Sequence, residues 1–305
     1  MFRKNFIFVS LLGVRLVLRE KTMKLTRILF IAAMFFVASA GEGWAQVHAA
    51  SDGPVAYGHH HVNGTDLAAH KRFWANTLGG IPTAFGQSEM YKFPNVHVFV
   101  REREPTGGTK GSTVNHIGFR VPSVRATLGK VRAAGFPVVT RQELPPGVAV
   151  IDDMAYIDNQ DTYIAFVMAP DNVKVELVEA RDQEEAIALH HIHFDTNNVD
   201  AMKAWYVDTF GAIPGTRGSF QAADLPGVNL TYSGNPASLE GTEGRSLDHI
   251  GFEVENLEAF CRQLESAGVE FDVPYRELDQ LGIAIAFFTD PFGTYIELTE
   301  GLDKY

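Results

Sequence analysis

The stretches VNHIGFRVPS, residues 114–123, and LDHIGFEVEN, residues 247–256, set His116 and His249 in the same local frame, 133 positions apart. One histidine in an apolar strand is usually packed with its ring satisfied. Two in a repeated frame belong to a duplicated unit. Side chains alternate between the faces of a strand. In HIGFEV, Ile250, Phe252 and Val254 therefore share one face, and His249, Gly251 and Glu253 share the other. By the same rule Glu297 lies opposite Ile296 and Leu298, His116 opposite Ile117 and Phe119, and Glu176 opposite Val175 and Leu177. A second alignment, at an offset of 132, matches His59 with His191 and His61 with His193. Two candidate sets result: His59, His116, Glu176 and His191, His249, Glu297. Two neutral imidazoles and a carboxylate suit Fe(II), Zn(II), Mn(II), Ni(II) or Co(II) and leave coordination positions open. A closed structural zinc site would want four protein ligands. The bland alternative is a buried His–Glu pair without metal.

The remaining histidines carry weaker expectations. His59, His60 and His61 run together, and a one-residue slip exchanges the faces they occupy. His61 and His193 share a face with His59 and His191 and are pocket candidates. His60 and His190 are expected at solvent or an edge, and His70 on an exposed helix surface. Tyr163, Tyr232 and Tyr295 fall in strands that line or back the site.

Several elements must position these groups. After Val121, Val124, Leu128 and Val131 recur on one helical face. After Val254, Leu257, Phe260, Cys261 and Leu264 do the same, with Asn256 as N-cap. Cys261 is expected in the core, as are Trp74, Trp205, Tyr206 and Phe210. Strand-rich text follows, each copy ending in Glu-Leu-x-Glu after a turn at Pro170-Asp171-Asn172 or Asp290-Pro291-Phe292-Gly293. The chain thus holds four modules, near 55–104, 112–181, 188–235 and 246–301. They read as two pairs, 55–181 and 188–301, joined by a charged linker. Pairing across the halves, first with fourth, is the alternative. It regroups the ligands as His59, His249, Glu297 and His191, His116, Glu176.

The repeated module, its His-Ile-Gly-Phe-x-Val opening and the DPFGTYIEL and APDNVKVEL endings resemble the vicinal oxygen chelate superfamily. That group includes glyoxalase I, bleomycin-resistance proteins and type I extradiol dioxygenases. The resemblance spans about Tyr57 to Glu300. It implies an α+β fold of four βαβββ modules, forming two tandem domains with cupped mixed sheets around divalent metal. It also implies an enzyme acting on a small substrate chelated through two oxygens, a metal-dependent lyase, isomerase or dioxygenase. Glu297 and Glu176 are then candidate catalytic bases, if one can leave the metal. Extradiol ring cleavage and metal-free sequestration of a small molecule are the alternatives. Against ring cleavage, the stretch from Asp279 to Ile285 has no histidine, and Phe287-Phe288 lack a hydroxyl. The extra carboxylate of glyoxalase-type sites has only His97 and Asn229 at its offset.

The whole chain bounds the rest. Its 305 residues suffice for two domains, and a formal net charge of −11 argues against nucleic acid or an anionic membrane as partner. One cysteine excludes an intramolecular disulfide. Residues 1–45 contain MKLTRILFIAAMFFVASA, with a basic start at Lys24 and Arg27, an apolar run and small residues after it. This is expected to be a secretory signal starting at Met23, which makes the mature protein periplasmic or secreted without a stable membrane anchor. The expected partner is a small-molecule substrate, with room for a homo-oligomer.

Overall fold

The computed structural model describes residues 46–86 and 88–305. The expected export signal lies outside the described residues. No helix among the described residues is long and apolar enough to cross a membrane.

Four βαβββ modules follow one another, as the resemblance implies. The first has β1 (Ala56–Gly64), α1 (Leu67–Lys71, continued by a wider π-type turn over Arg72–Thr77), β2 (Ile81–Phe85), β3 (Ser88–Phe93) and β4 (Val96–Glu102). The second has β5 (Val114–Val121), α2 (Val124–Ala133), a short α3 (Thr140–Glu143), β6 (Ala155–Ile157), β7 (Thr162–Ala169) and β8 (Val173–Glu179). The third has β9 (Ala188–Thr196), α4 (Val199–Phe210), β10 (Ile213–Arg217), β11 (Phe220–Leu225) and β12 (Val228–Gly234). The fourth has β13 (Leu247–Glu253), α5 (Leu257–Ser266), β14 (Val273–Leu278), β15 (Ile283–Thr289) and β16 (Tyr295–Glu300).

Each major helix starts the same way. Asp66, Ser123, Asn198 and Asn256 accept the backbone N–H of an alanine three residues on, satisfying one of the unpaired donors at the helix start. In the second and fourth modules the closing strand helps as well. Glu179 accepts from the Val124 N–H at 3.1 Å, and Glu300 from the Leu257 N–H at 2.9 Å. The two glutamates of Glu-Leu-x-Glu are an odd number of residues apart, so they face opposite sides of the strand. The second serves the helix, which leaves the first for the other face.

The strands form two curled, eight-stranded mixed sheets. One runs β14-β15-β16-β13-β1-β4-β3-β2, the other β10-β11-β12-β9-β5-β8-β7-β6. The first module thus shares a sheet with the fourth, and the second with the third. Neither cup is built within 55–181 or within 188–301, so the crossed alternative is the one adopted and the sequential pairing of modules is corrected. The physical reason is symmetry. The opening strands meet antiparallel in one register in both sheets, His61 against His249 and His193 against His116. Local pattern in repeated modules specifies that register but not which copy supplies the partner.

One apolar core joins the helix-bearing faces of both sheets. Trp74 packs edge-on against Phe93 of one sheet, with its ring centroid 6.4 Å from that of Phe119 in the other. Phe210, at the end of α4, meets Phe252 of β13 at 4.7 Å. Val124, Leu128, Val131, Leu257, Cys261 and Leu264 are buried in this layer, as the helical spacing requires. With both helix-bearing faces covered, the polar faces of the two sheets remain as cups.

Candidate metal centre

His59 on β1, His249 on β13 and Glu297 on β16 converge in the first cup. The Nε2 of His59 lies 2.8 Å, and that of His249 3.0 Å, from Oε2 of Glu297, and all three residues are buried. In the second cup, Nε2 of His116 and of His191 lie 2.9 Å and 3.0 Å from Oε2 of Glu176. His193 joins that cluster, with its ring stacked on His116 at 4.5 Å. Every residue of the sequence-derived sets is therefore at a centre, regrouped by the crossing. The sequential groupings are not assembled.

The glycine of His-Ile-Gly-Phe now has a reason. His59 faces Gly251 across the β1–β13 pair, and Gly251 neighbours Glu297 across the β13–β16 pair. The imidazole must cross Gly251 to reach the carboxylate, and a Cβ added there would meet its Cε1 at 1.9 Å. Gly118 stands beneath His191 in the same way, with Cε1 at 2.0 Å from an added Cβ.

The cups differ in what surrounds the triads. Asp248 holds Nδ1 of His249 through Oδ1 at 2.6 Å, so the Nδ1 proton faces Asp248 and the Nε2 lone pair faces the centre. Burial lowers the His249 ring, but its bonds to Asp248 and Glu297 outweigh that and raise it above its ordinary value. Burial would raise the Glu297 carboxyl; the facing His59 and His249 hold it far below its usual range. In the second cup the corresponding residue is Asn115, 2.8 Å from Nδ1 of His116. Burial there outweighs Glu176 and lowers the His116 ring. Arg217 also enters, its Nη2 3.2 Å from Nε2 of His191. Sequence reasoning passed over Asp248 and Arg217. Their signals were the Asp/Asn difference between LDHIGF and VNHIGF, and an arginine at the offset of 132 from Phe85.

Other expected positions resolve as follows. His61 borders the first cup, with Nδ1 3.1 Å from Nε2 of His249. Burial, then His249, hold it well below the ordinary imidazole range, so it is neutral. His60 is not at solvent: it is buried on the opposite face, against the Tyr57 hydroxyl at 2.5 Å. His190 is half-buried and contacts Nδ1 of His191 at 2.8 Å. His70 is not surface either. It is fully buried between Asp171 at 2.9 Å and the Trp74 indole N–H at 3.1 Å. Helical spacing alone could not show that the turn at Asp171 covers it. His97 pairs in register with His59 but lies outside the cluster, and its ring nitrogens have no hydrogen-bond partner among the described residues. Asn229 is tied to Asp224 at 2.7 Å. Tyr295 borders the first cup, 5.8 Å from the His249 ring, whereas Tyr232 is in the core and Tyr163 packs on Tyr156. Phe287 meets His249 edge-on at 5.2 Å, so β15 presents a phenyl ring there.

A cavity of about 130 Å³ opens on His59 and Glu297 of the first triad, with His61, Phe85, Phe99 and Ile283 among its other walls. A surface cleft bounded by Thr113, Asp195 and Phe292 is larger and contains none of the clustered histidines.

Residues 188–298 match the model of the Glyoxalase/Bleomycin resistance protein/Dioxygenase superfamily. That stretch carries a domain of this superfamily. It gives β9–β12 to one sheet and most of β13–β16 to the other, so one matched segment contributes to both cups. The whole fold is also found in solved structures. The structure of glyoxalase I from Zea mays superposes with a TM-score of 0.61 at 15% identity, covering 81% of this chain and 92% of that one. A "putative dioxygenase" from Bacillus subtilis subsp. subtilis str. 168 superposes with a TM-score of 0.58 at 14% identity, covering 80% of this chain and 84% of that one. At such identities the likeness is one of fold. No curated protein matches the chain.

The donor set of the first cup fits a divalent cation. Two imidazole nitrogens and a carboxylate oxygen lie within 4.8 Å of one another, and a carboxylate behind one ring fixes its tautomer. Three protein ligands and an adjoining cavity leave positions open, as catalytic sites do and structural zinc sites do not.

Proposed function

We propose that the protein is an exported, divalent-metal-dependent enzyme that acts on a small substrate held through two oxygens in the first cup. The observation that carries this reading is the convergence of His59, His249 and Glu297 on one buried point, with His59 and Glu297 lining an open cavity. The metal would supply Lewis-acid polarisation of the substrate oxygens and stabilise charge developing on them. The chain's own residues do the rest. Asp248 keeps His249 in the tautomer whose Nε2 lone pair faces the centre. Phe85, Phe99 and Ile283 wall the cavity with apolar surface, which excludes water and favours a substrate with a small apolar part. His61 lines the same cavity as a neutral imidazole and is placed to hydrogen-bond a bound substrate, leaving Glu297 to its two histidines.

Metal analysis of the purified protein, combined with turnover assays, tests this. Metal-dependent turnover of α-hydroxycarbonyl or hemithioacetal compounds, lost in His249→Ala, supports the reading. Ring cleavage of catechols with Fe(II) and oxygen would move the protein to dioxygenase chemistry. A metal-free chain that still binds small aromatic ligands would replace the enzyme with a sequestering protein.

A further inference from the structure

The two cups share a fold, a register and a His-Glu core, yet they differ in charge. We propose that Arg217 bars divalent metal from the second cup, so that the chain holds a single ion, in the first. This rests on the metal reading of the first cup.

Counting donors alone points the other way, because the second cup gathers four potential ligands and the first gathers three. Charge reverses the order. Strands β2 and β10 are equivalent, and Arg217 ends β10 where Phe85 ends β2. The Phe85 ring turns onto Phe99 at 5.1 Å, so this strand end brings no cation to the first triad. Arg217 instead runs inward with only 10% of its side chain exposed. Its Nε donates to Thr231 Oγ1 at 3.0 Å, and Nη1 reaches Gln160 at 3.4 Å. Those anchors hold Nη2 at 3.2 Å from Nε2 of His191 and 3.7 Å from Oε2 of Glu176.

A guanidinium only donates. The contact with Nε2 of His191 therefore forms only when that nitrogen carries the lone pair a metal would need, and the guanidinium competes for it beside Oε2 of Glu176, 3.0 Å from the same nitrogen. The fixed positive charge also repels a cation at the point where Glu176 would attract it, in a buried setting that screens little. The residue behind the other histidine acts in the same direction. Asp248 backs His249 with a carboxylate, whereas Asn115 backs His116 with a neutral amide. The first cup then presents two carboxylates, Glu297 and Asp248. Arg101 and Arg103 meet Asp248 at 3.4 Å and 3.9 Å, but both are substantially exposed and so screened. The second cup sets Arg217 against Glu176; its other carboxylate, Asp195, stands one residue further back, accepting from Asn115 Nδ2 at 2.9 Å, and nearby Lys174 is paired with Glu143 at 2.8 Å. Only in the first cup does the second carboxylate sit directly on a ligand histidine, with no buried guanidinium at the centre among the described residues.

The test is Co(II) titration of chelator-stripped protein, followed by visible absorption, with elemental analysis after equilibration with Zn(II). The parent should bind one ion per chain, lost in His249→Ala and kept in His116→Ala. Arg217→Leu should admit a second ion at least 100-fold more tightly than the parent's second cup does, and adding His116→Ala should remove it. Arg217→Lys, which keeps the charge, should still bind one. Far-UV circular dichroism confirms that each variant is folded. Two ions of similar affinity in the parent overturn the proposal while leaving the metal reading intact. So does a folded Arg217→Leu protein that stays at one ion. No ion in either parent or Arg217→Leu overturns both.

Discussion

The imidazole of His59 lies against the α-carbon of Gly251, on its way from one strand to the Glu297 carboxylate two strands away. A methyl group at residue 251 cannot coexist with that path. Gly251→Ala should push the ring off Glu297, lower the affinity of the first cup for Co(II) at least tenfold, and cost about 1–3 kcal/mol of stability through overpacking. Gly118→Ala imposes the same strain beneath His191 and should cost similar stability while leaving the Co(II) affinity of the first cup unchanged. Equilibrium unfolding and metal titration of the two variants separate strain from site. Parental affinity in Gly251→Ala would show that the ring reaches the carboxylate by another route.

That relationship also marks how far the sequence could be read. Alternation along HIGFEV and YIELT was enough to put His249 and Glu297 on one face, because a period of two leaves no freedom once Ile250 and Phe252 are assigned to the core. The modules, their N-cap at Asn256 and the packing of Leu264 and Cys261 were legible for the same local reason. Pairing of modules was not. The frame around His116 repeats that around His249, so either could close a cup with His59, and only long-range closure chooses. His70 was misplaced because burial by the Asp171 turn of another module leaves no local trace, whereas His60 lies on the face of β1 opposite His59, against Tyr57 of the same strand. Arg217 was silent because its importance lies in departing from Phe85, a comparison that matters only once the two strands are known to be equivalent.

Asp248 touches no substrate position, and its effect passes through the His249 ring. Asp248→Asn reproduces in the first cup what Asn115 does in the second. The tautomer should be held less firmly and countercharge is lost, so Co(II) affinity should fall between ten- and a hundredfold. The pH midpoint of metal binding reports the mechanism. Asp248 holds His249 above its ordinary value, so protons compete with metal for that ring. Without the carboxylate the ring should deprotonate at lower pH, moving the midpoint down even as affinity at high pH weakens. An unchanged midpoint with weaker binding would mean that Asp248 acts only by charge on the ion.

Glu253 shares the cup face of β13 but is wholly buried. It accepts the Thr299 hydroxyl at 2.6 Å and the N–H groups of Gly301 and Leu302 at 2.5 Å and 2.9 Å. Burial raises its carboxyl from the ordinary 4.5 to about 7. A raised folded-state value means that the native protein binds this proton more tightly than the unfolded chain. The associated stability is fully present below about pH 4.5, is lost as pH rises toward 7, and is absent above it. Glu253→Gln keeps an acceptor for the two amides and removes the titration. In chelator, the stability of the parent relative to the variant should decline across pH 4.5–7 by at most a few kcal/mol. Urea midpoints that run parallel for the two proteins through that window would sink the assignment.

Glu297 and Glu300 are the two glutamates of one Glu-Leu-x-Glu ending, and the fold gives them separable duties. Glu297 faces the cup and takes both histidines; Glu300 faces the helix layer and accepts the Leu257 N–H at the start of α5. Without metal, Glu297→Gln takes the carboxylate from two buried imidazoles and should cost about 3 kcal/mol of stability near neutral pH. With metal the variant loses a ligand. A cation at a hundred times its dissociation constant should stabilise the parent by about 2.7 kcal/mol, and Glu297→Gln by almost nothing. Glu300→Gln should keep that metal increment. It weakens a charged bond at a helix start, worth about 1 kcal/mol, and lowers the melting temperature with or without metal. The increment that metal adds should survive in full. Thermal unfolding of parent and both variants, with excess Zn(II) and with chelator, gives six midpoints. If the metal increment vanished in Glu300→Gln and persisted in Glu297→Gln, the assignment of faces on β16, and the centre built on it, would fail together.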